Sequence, residues 1–99
     1  MIAQLKIYAD CSSPEPTKTY DMLRTTTKVT KRMADFQVKY EKVSPTDADH
    51  EEVMADLDDL LKTIFPTLTD EELEDTSVED KMDFVWAVVN HFNKVAGKN

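Results

Sequence analysis

The sequence predicts a mainly α fold: a short N-terminal strand or hairpin, then a long helix, a medium helix, a helical turn and a C-terminal helix. Three observations carry that reading. The chain has 99 residues and a single glycine, Gly97, and tight hairpins favour glycine at their positive-φ positions, so a sandwich or barrel of many short strands is disfavoured. Beyond Tyr20 the apolar residues recur at steps of three and four, the spacing of one helix face. Only the first ten residues alternate with a period of two.

That alternation sets Ala3, Leu5, Ile7 and Ala9 on one face and Gln4, Lys6, Tyr8 and Asp10 on the other, as one short strand. A lone strand leaves its backbone groups unpaired. Its one credible partner is the segment from Lys18 to Met22, across the turn-rich Ser12-Ser13-Pro14-Glu15-Pro16. The expectation is a small hairpin, or an arm that pairs with another subunit.

From Tyr20 to about Val43 the stripe Met22, Thr26, Val29, Met33, Phe36, Tyr40, Val43 predicts a helix. Thr25, Thr26, Thr27 and Thr30 weaken its start, because β-branched hydroxyl residues lose rotamer freedom and compete for backbone hydrogen bonds. Ser44-Pro45 ends it, since the residue before proline is pushed out of helical dihedrals. A second helix opens at Thr46 or Asp47 with acids in its first turn, where they favour the positive end of the helix dipole. Its apolar set is Val53, Leu57, Leu60, Leu61, Ile64 and Phe65, and Pro66 stops it.

Thr69-Asp70-Glu71-Glu72 has capping-box spacing and predicts a short helical turn carrying Leu73. Ser77-Val78-Glu79-Asp80 starts the last helix, with Met82, Val85, Trp86, Val89 and Phe92 in one stripe and Val88 and Val95 widening it. Gly97 stands where a helix terminator is expected. The lengths suit one domain, 1–99, with a strand or arm over 1–16 and a helical body over 17–99. The body is expected as a three-helix packing whose last two helices form a hairpin closed by the Phe65-Pro66 to Leu73 corner.

Composition narrows the function. Phosphate-cradling loops need two or three glycines, so none can be built. Net charge is −8, which argues against a nucleic-acid binder, whose affinity rests on Lys and Arg. The charge divides unevenly along the chain, +3 over residues 1–43 and −11 over the remainder, so the two halves can pair internally, present solvated faces or steer association. Cys11 is alone, which fits a reducing compartment, and no stretch reaches the about 18 apolar residues of a membrane span. The start lacks the basic region and apolar core of a signal peptide, so the protein is expected to stay where it is made.

Chemistry finds few parts. The run Asp47 to Glu52 opens like a calcium loop, but Glu52 stands where the sharp turn needs glycine and Asp58 where a bidentate glutamate belongs. His50 and His91 lie 41 residues apart and neither has a second His or a Cys at ligand spacing, so no metal or other cofactor is expected. No serine has a glycine-flanked elbow and Cys11 has no neighbouring His, so a catalytic residue set is not expected and the chain reads as non-enzymatic. The stripe of the first helix spans more turns than the shorter helices can cover, which leaves Met33, Phe36 and Tyr40 as candidate partner contacts. Self-association through that surface is the other use for it. Met22, Met33, Met54 and Met82 lie on or beside the helical stripes, where methionine serves either core packing or an adaptable apolar surface.

The segment Lys62-Thr63-Ile64-Phe65-Pro66-Thr67-Leu68-Thr69-Asp70-Glu71-Glu72-Leu73, followed by Val78-Glu79-Asp80 and the helix from Trp86 to Phe92, resembles the tail assembly chaperones of long-tailed bacteriophages, particularly those of Gram-positive hosts. The front is similar too, with a short strand, Lys18-Thr19-Tyr20 and a long, threonine-bearing charged helix. The resemblance implies a non-enzymatic protein in the cytoplasm of the infected host, not retained in the finished virion. Its implied partners are the tape measure protein, which it keeps soluble, and the tail tube protein. It also implies that a longer, frameshifted form can exist, and Lys98-Asn99 would be encoded by A-rich codons.

A different class fits the acidic tail: a DNA mimic, anti-restriction protein or antitoxin-like inhibitor that neutralises a basic partner. Mimics space carboxylates over an extended face, whereas these acids crowd helix starts at 47–52 and 70–75, where capping already accounts for them. A virion structural adaptor is a third class, distinguished by remaining in finished particles.

Overall fold

The computed structural model describes residues 1–41 and 49–95. Val43, the Ser44-Pro45 stop, the opening at Thr46 or Asp47 and the Gly97 terminator lie outside the described residues. The fold is mainly helical, with an antiparallel strand pair followed by four helices among the described residues: β1 (Ala3–Ile7), β2 (Lys18–Met22), α1 (Thr27–Glu41), α2 (His50–Ile64), α3 (Asp70–Glu74) and α4 (Val78–Val95). It divides into two compact units, one formed by Met1–Arg24 with Leu68–Asn99 and the other by Thr25–Thr67. This grouping differs from a division at residue 16, because Lys18–Met22 is a strand of the hairpin.

In the first unit β1 and β2 pair in the register Ala3↔Met22, Leu5↔Tyr20, Ile7↔Lys18. Facing residues of an antiparallel pair share a side of the sheet, so Ala3, Leu5, Ile7 and Met22 form one buried face. Gln4 and Asp21 lie on the other, joined by a 2.8 Å hydrogen bond from the Gln4 amide to the Asp21 carboxylate. The connection between the strands needs no glycine because it is long and built around an aspartate. Asp10 Oδ1 accepts from the Ser12 amide at 2.8 Å, the Ser12 hydroxyl at 2.7 Å and the Ser13 hydroxyl at 3.2 Å, an Asx turn. Thr17 closes the hairpin by donating its amide to the Ile7 carbonyl at 2.8 Å.

A two-stranded hairpin is marginal in water until its apolar face is covered. Here α4 packs against β1 and turns inward Phe84, Val85, Val88 and Val89, all buried, together with Lys81. This corrects the expected stripe in two places. Trp86 is 57% exposed, and Phe84, absent from that stripe, is 2% exposed and among the largest fully buried side chains. The Ser77 hydroxyl caps α4 by accepting from the Asp80 amide at 3.0 Å.

The short helix α3 is anchored by its cap. Thr69 Oγ1 accepts from the Glu72 amide at 3.1 Å while Glu72 Oε1 accepts from the Thr69 amide at 3.1 Å, the reciprocal pair that the sequence spacing predicts. Glu72 also joins α3 to β2: the Tyr20 hydroxyl donates to it at 2.7 Å and Lys18 Nζ lies 3.1 Å away. Chiefly the Tyr20 hydroxyl, then the Thr69 amide, hold the Glu72 carboxyl down to about 2. A carboxyl lowered on folding contributes stability that is complete above its unfolded value and fades as pH falls toward its folded one. The urea midpoint is therefore expected to fall between pH 4.5 and about 2, and to fall less in Glu72→Gln; equal slopes for the two proteins would refute the assignment.

In the second unit α1 pairs with α2. Within their own units α2 takes α1 as its neighbour and α4 takes β1. The helix expected from Tyr20 is shorter, since Tyr20 and Met22 serve β2 and α1 begins at Thr27. Thr26 occupies the cap position: its hydroxyl accepts from the Val29 amide at 3.3 Å and its carbonyl from the Thr30 amide at 3.0 Å. The cap of α2 is Asp49, whose carboxylate accepts from the Glu51 amide at 3.0 Å and the Glu52 amide at 3.4 Å. Val29, Met33, Leu57, Leu60 and Leu61 are buried.

Candidate functional site

The phase of α1 sets Val29, Met33, Phe36 and Tyr40 along one side, but to different depths. Met33 is 2% exposed and is committed to the interior, whereas Phe36 and Tyr40 are half-buried. Their rings lie 4.9 Å apart at 52°, a tilted pair of the kind that contributes about 0.5–1.5 kcal/mol beyond burial. Of the three partner contacts expected from sequence, Phe36 and Tyr40 remain accessible and Met33 does not.

Phe36 and Leu60 lie in an open groove of about 130 Å³ between α1 and α2, rimmed by Arg32, Asp35, Lys39, Asp56 and Asp59. The rim is cross-linked. Arg32 Nη1 donates to Asp59 at 3.1 Å, and Lys39 Nζ lies 2.7 Å from Asp56 and 2.6 Å from Glu52. The Tyr40 hydroxyl also donates to Asp56. Isolated surface pairs contribute about 0–1 kcal/mol, so this network adds little to folding; it fixes where charge sits along the groove.

Tyr40, Asp56 and Lys39 each hold their neutral-pH form more firmly than usual. Burial first, then the Asp56 carboxylate, push the Tyr40 phenol up to about 12. Lys39, followed by the Tyr40 hydroxyl, holds Asp56 below the usual carboxylate range, while Asp56 and then Glu52 raise Lys39. A general acid or base needs the opposite tuning, toward the working pH. The groove is suited to receiving apolar side chains between fixed charges, the way an amphipathic helix is seated.

The apolar pattern of the sequence does not pick out Arg32, Asp56 or Asp59. A signal for them exists: Arg32 and Lys39 are seven residues apart, as are Glu52 and Asp59, so two antiparallel helices bring each base to an acid. Pairing of the basic first half with the acidic second half is therefore partly internal to this unit. By unit the charge is −5 for the first and −3 for the second, a far smaller contrast than +3 and −11 along the chain.

A second open depression, of about 410 Å³, lies in the first unit against Tyr8, Asp10, Cys11, Ser13, Glu74 and Asp75. Cys11 is free and exposed there, while His50 is exposed at the start of α2 and His91 half-buried on α4. Among the described residues no group of three or more His, Cys, Asp or Glu side chains has the geometry of a metal site, and no helix is long and apolar enough to cross a membrane. Comparison of the chain with protein-family models, with curated proteins and with solved structures finds no match to any of them.

Proposed function

We propose that the protein is a phage tail assembly chaperone, a non-enzymatic module that binds helical segments of the tape measure protein, keeps them soluble in the infected cell and assists tail tube assembly. The observation that supports it best is the α1–α2 groove, where half-buried Phe36, with Tyr40 packed beside it, lies against a charge network already satisfied within the chain. An apolar strip between fixed charges accepts the apolar face of a foreign helix without leaving a buried charge unpaired. The sequence resemblance supplies the identity of the partner. Phe36 and the neighbouring Tyr40 are the proposed contacts, and Leu60 lines the groove with Phe36.

Co-expression is the direct test. The tape measure protein alone is expected to be insoluble, to become soluble with this chain and to co-purify with it. Phe36→Ala is expected to lower the recovered complex several-fold, as truncation of a central aromatic contact does. A tape measure protein that stays insoluble beside an abundant, folded chain would defeat the reading. Inhibition of a nuclease by the purified chain would favour the acidic-regulator class in its place.

A further inference from the structure

The helix α4 is apolar on two sides, and only one of them is used within its unit. Its inward side carries Phe84, Val85, Val88 and Val89 toward the strand pair. Val78, Met82 and Trp86, spaced four residues apart, form a second stripe that winds away from that side. Val78 is 51% exposed, Trp86 57% exposed and Met82 half-buried. A surface helix ordinarily carries polar residues opposite its core stripe, and a tryptophan left in water forgoes one of the largest available gains from burial. Charge marks what would cover it. Glu79 and Asp83 follow the outer edge of the stripe, Asp80 lies beyond them, and the one base of the same turns, Lys81, is buried on the inward side.

We propose that this stripe is a docking surface for an amphipathic helix of a partner protein that carries Lys or Arg along one edge of its apolar face. Apolar side chains of the partner pack on Val78, Met82 and Trp86, and its basic edge lies along Glu79 and Asp83. The rim acids steer and orient the encounter, and the apolar stripe supplies the affinity. The surface lies on a different unit from Phe36 and Tyr40, so it is independent of the proposed chaperone activity.

Trp86 is the sole tryptophan, so its emission reports occupancy directly. The full chain is titrated with a synthetic Leu/Lys amphipathic helix of about five turns, with a scrambled peptide of equal composition, and with a Leu/Glu counterpart. The Leu/Lys helix is expected to give a saturable blue shift and the other two none. Because two rim charges are reversed, the double variant Glu79→Lys, Asp83→Lys is expected to bind it about tenfold more weakly. Both positions are solvent-facing, and circular dichroism serves to check that the variant is folded. Equal shifts with all three peptides, or no shift with any, overturn the proposal. A blue shift that grows with protein concentration alone also overturns it, since a second copy is then the occupant. A chain that binds the Leu/Lys helix yet leaves the tape measure protein insoluble would defeat the chaperone reading and leave this one standing.

Discussion

Phe84→Ala is expected to destabilise the first unit by about 3–5 kcal/mol, the range for removing a buried phenylalanine and leaving a cavity. Phe84 is 2% exposed and lies on the α4 side that packs against β1, whose Leu5 is fully buried and Ile7 4% exposed. The strand pair has no other sheet neighbour among the described residues, and two strands alone are marginally stable. Loss of the α4 contact therefore removes the cover from the buried face of Ala3, Leu5, Ile7 and Met22, and the hairpin is expected to open with the helix. Domains of this size have a total stability of about 5–15 kcal/mol, so the variant consumes a large part of it. Urea unfolding followed by Trp86 emission, with amide exchange of Leu5 and Tyr20 as a second probe, measures the effect. Trp86→Ala, on the same helix but 57% exposed, is expected to change stability by under about 1 kcal/mol when followed by circular dichroism. If the two substitutions cost the same, α4 does not turn its Phe84 side toward the strand pair.

That pair of residues shows where sequence reasoning stops. Steps of three and four through Met82, Val85, Trp86, Val89 and Phe92 make a legitimate helix stripe, and so do Lys81, Phe84, Val85, Val88 and Val89. Periodicity establishes that a helix forms but not which of two apolar faces is buried, because that choice belongs to the surface it meets. The capping box at Thr69 and Glu72 was legible for the opposite reason: its donors and acceptors lie within four residues. The strand pair followed from alternation together with the need to pair β1, although its loop is organised by Asp10 through contacts that composition alone does not reveal. For the first helix the stripe extends too far toward the N-terminus. Met22 continues its spacing by coincidence, while opposite Tyr20 and Met22 in β1 stand Leu5 and Ala3. The candidate site was legible in part: Phe36 reaches a groove with Tyr40 packed beside it, whereas Met33, on the same stripe, is consumed by packing. Its charged rim required knowing that α1 and α2 run antiparallel, a tertiary fact that the helix-spaced charges suggest but do not dictate.

In the second unit, folding and binding are expected to separate cleanly between Leu57 and Phe36. Leu57 is fully buried among Leu60 and Leu61 on the inner side of α2, so Leu57→Ala is expected to destabilise the unit by about 2–5 kcal/mol. The side chains removed differ more in surroundings than in size. Phe36 is half-buried at the mouth of the groove, and its truncation forfeits partial burial plus the tilted contact with Tyr40, about 1–2 kcal/mol together. The buried Val29, Met33, Leu57, Leu60 and Leu61 are unchanged and remain the core of the unit. Urea unfolding followed by circular dichroism should therefore show a large loss of midpoint for Leu57→Ala and a small one for Phe36→Ala. The binding assay should show the reverse logic: Phe36→Ala stays soluble and loses the tape measure protein, whereas Leu57→Ala loses it only under conditions where the unit unfolds. If Phe36→Ala keeps full binding while folded, the partner surface is not the α1–α2 groove. If Phe36→Ala unfolds the unit as severely as Leu57→Ala, Phe36 is a core residue and its position at the groove carries no functional meaning.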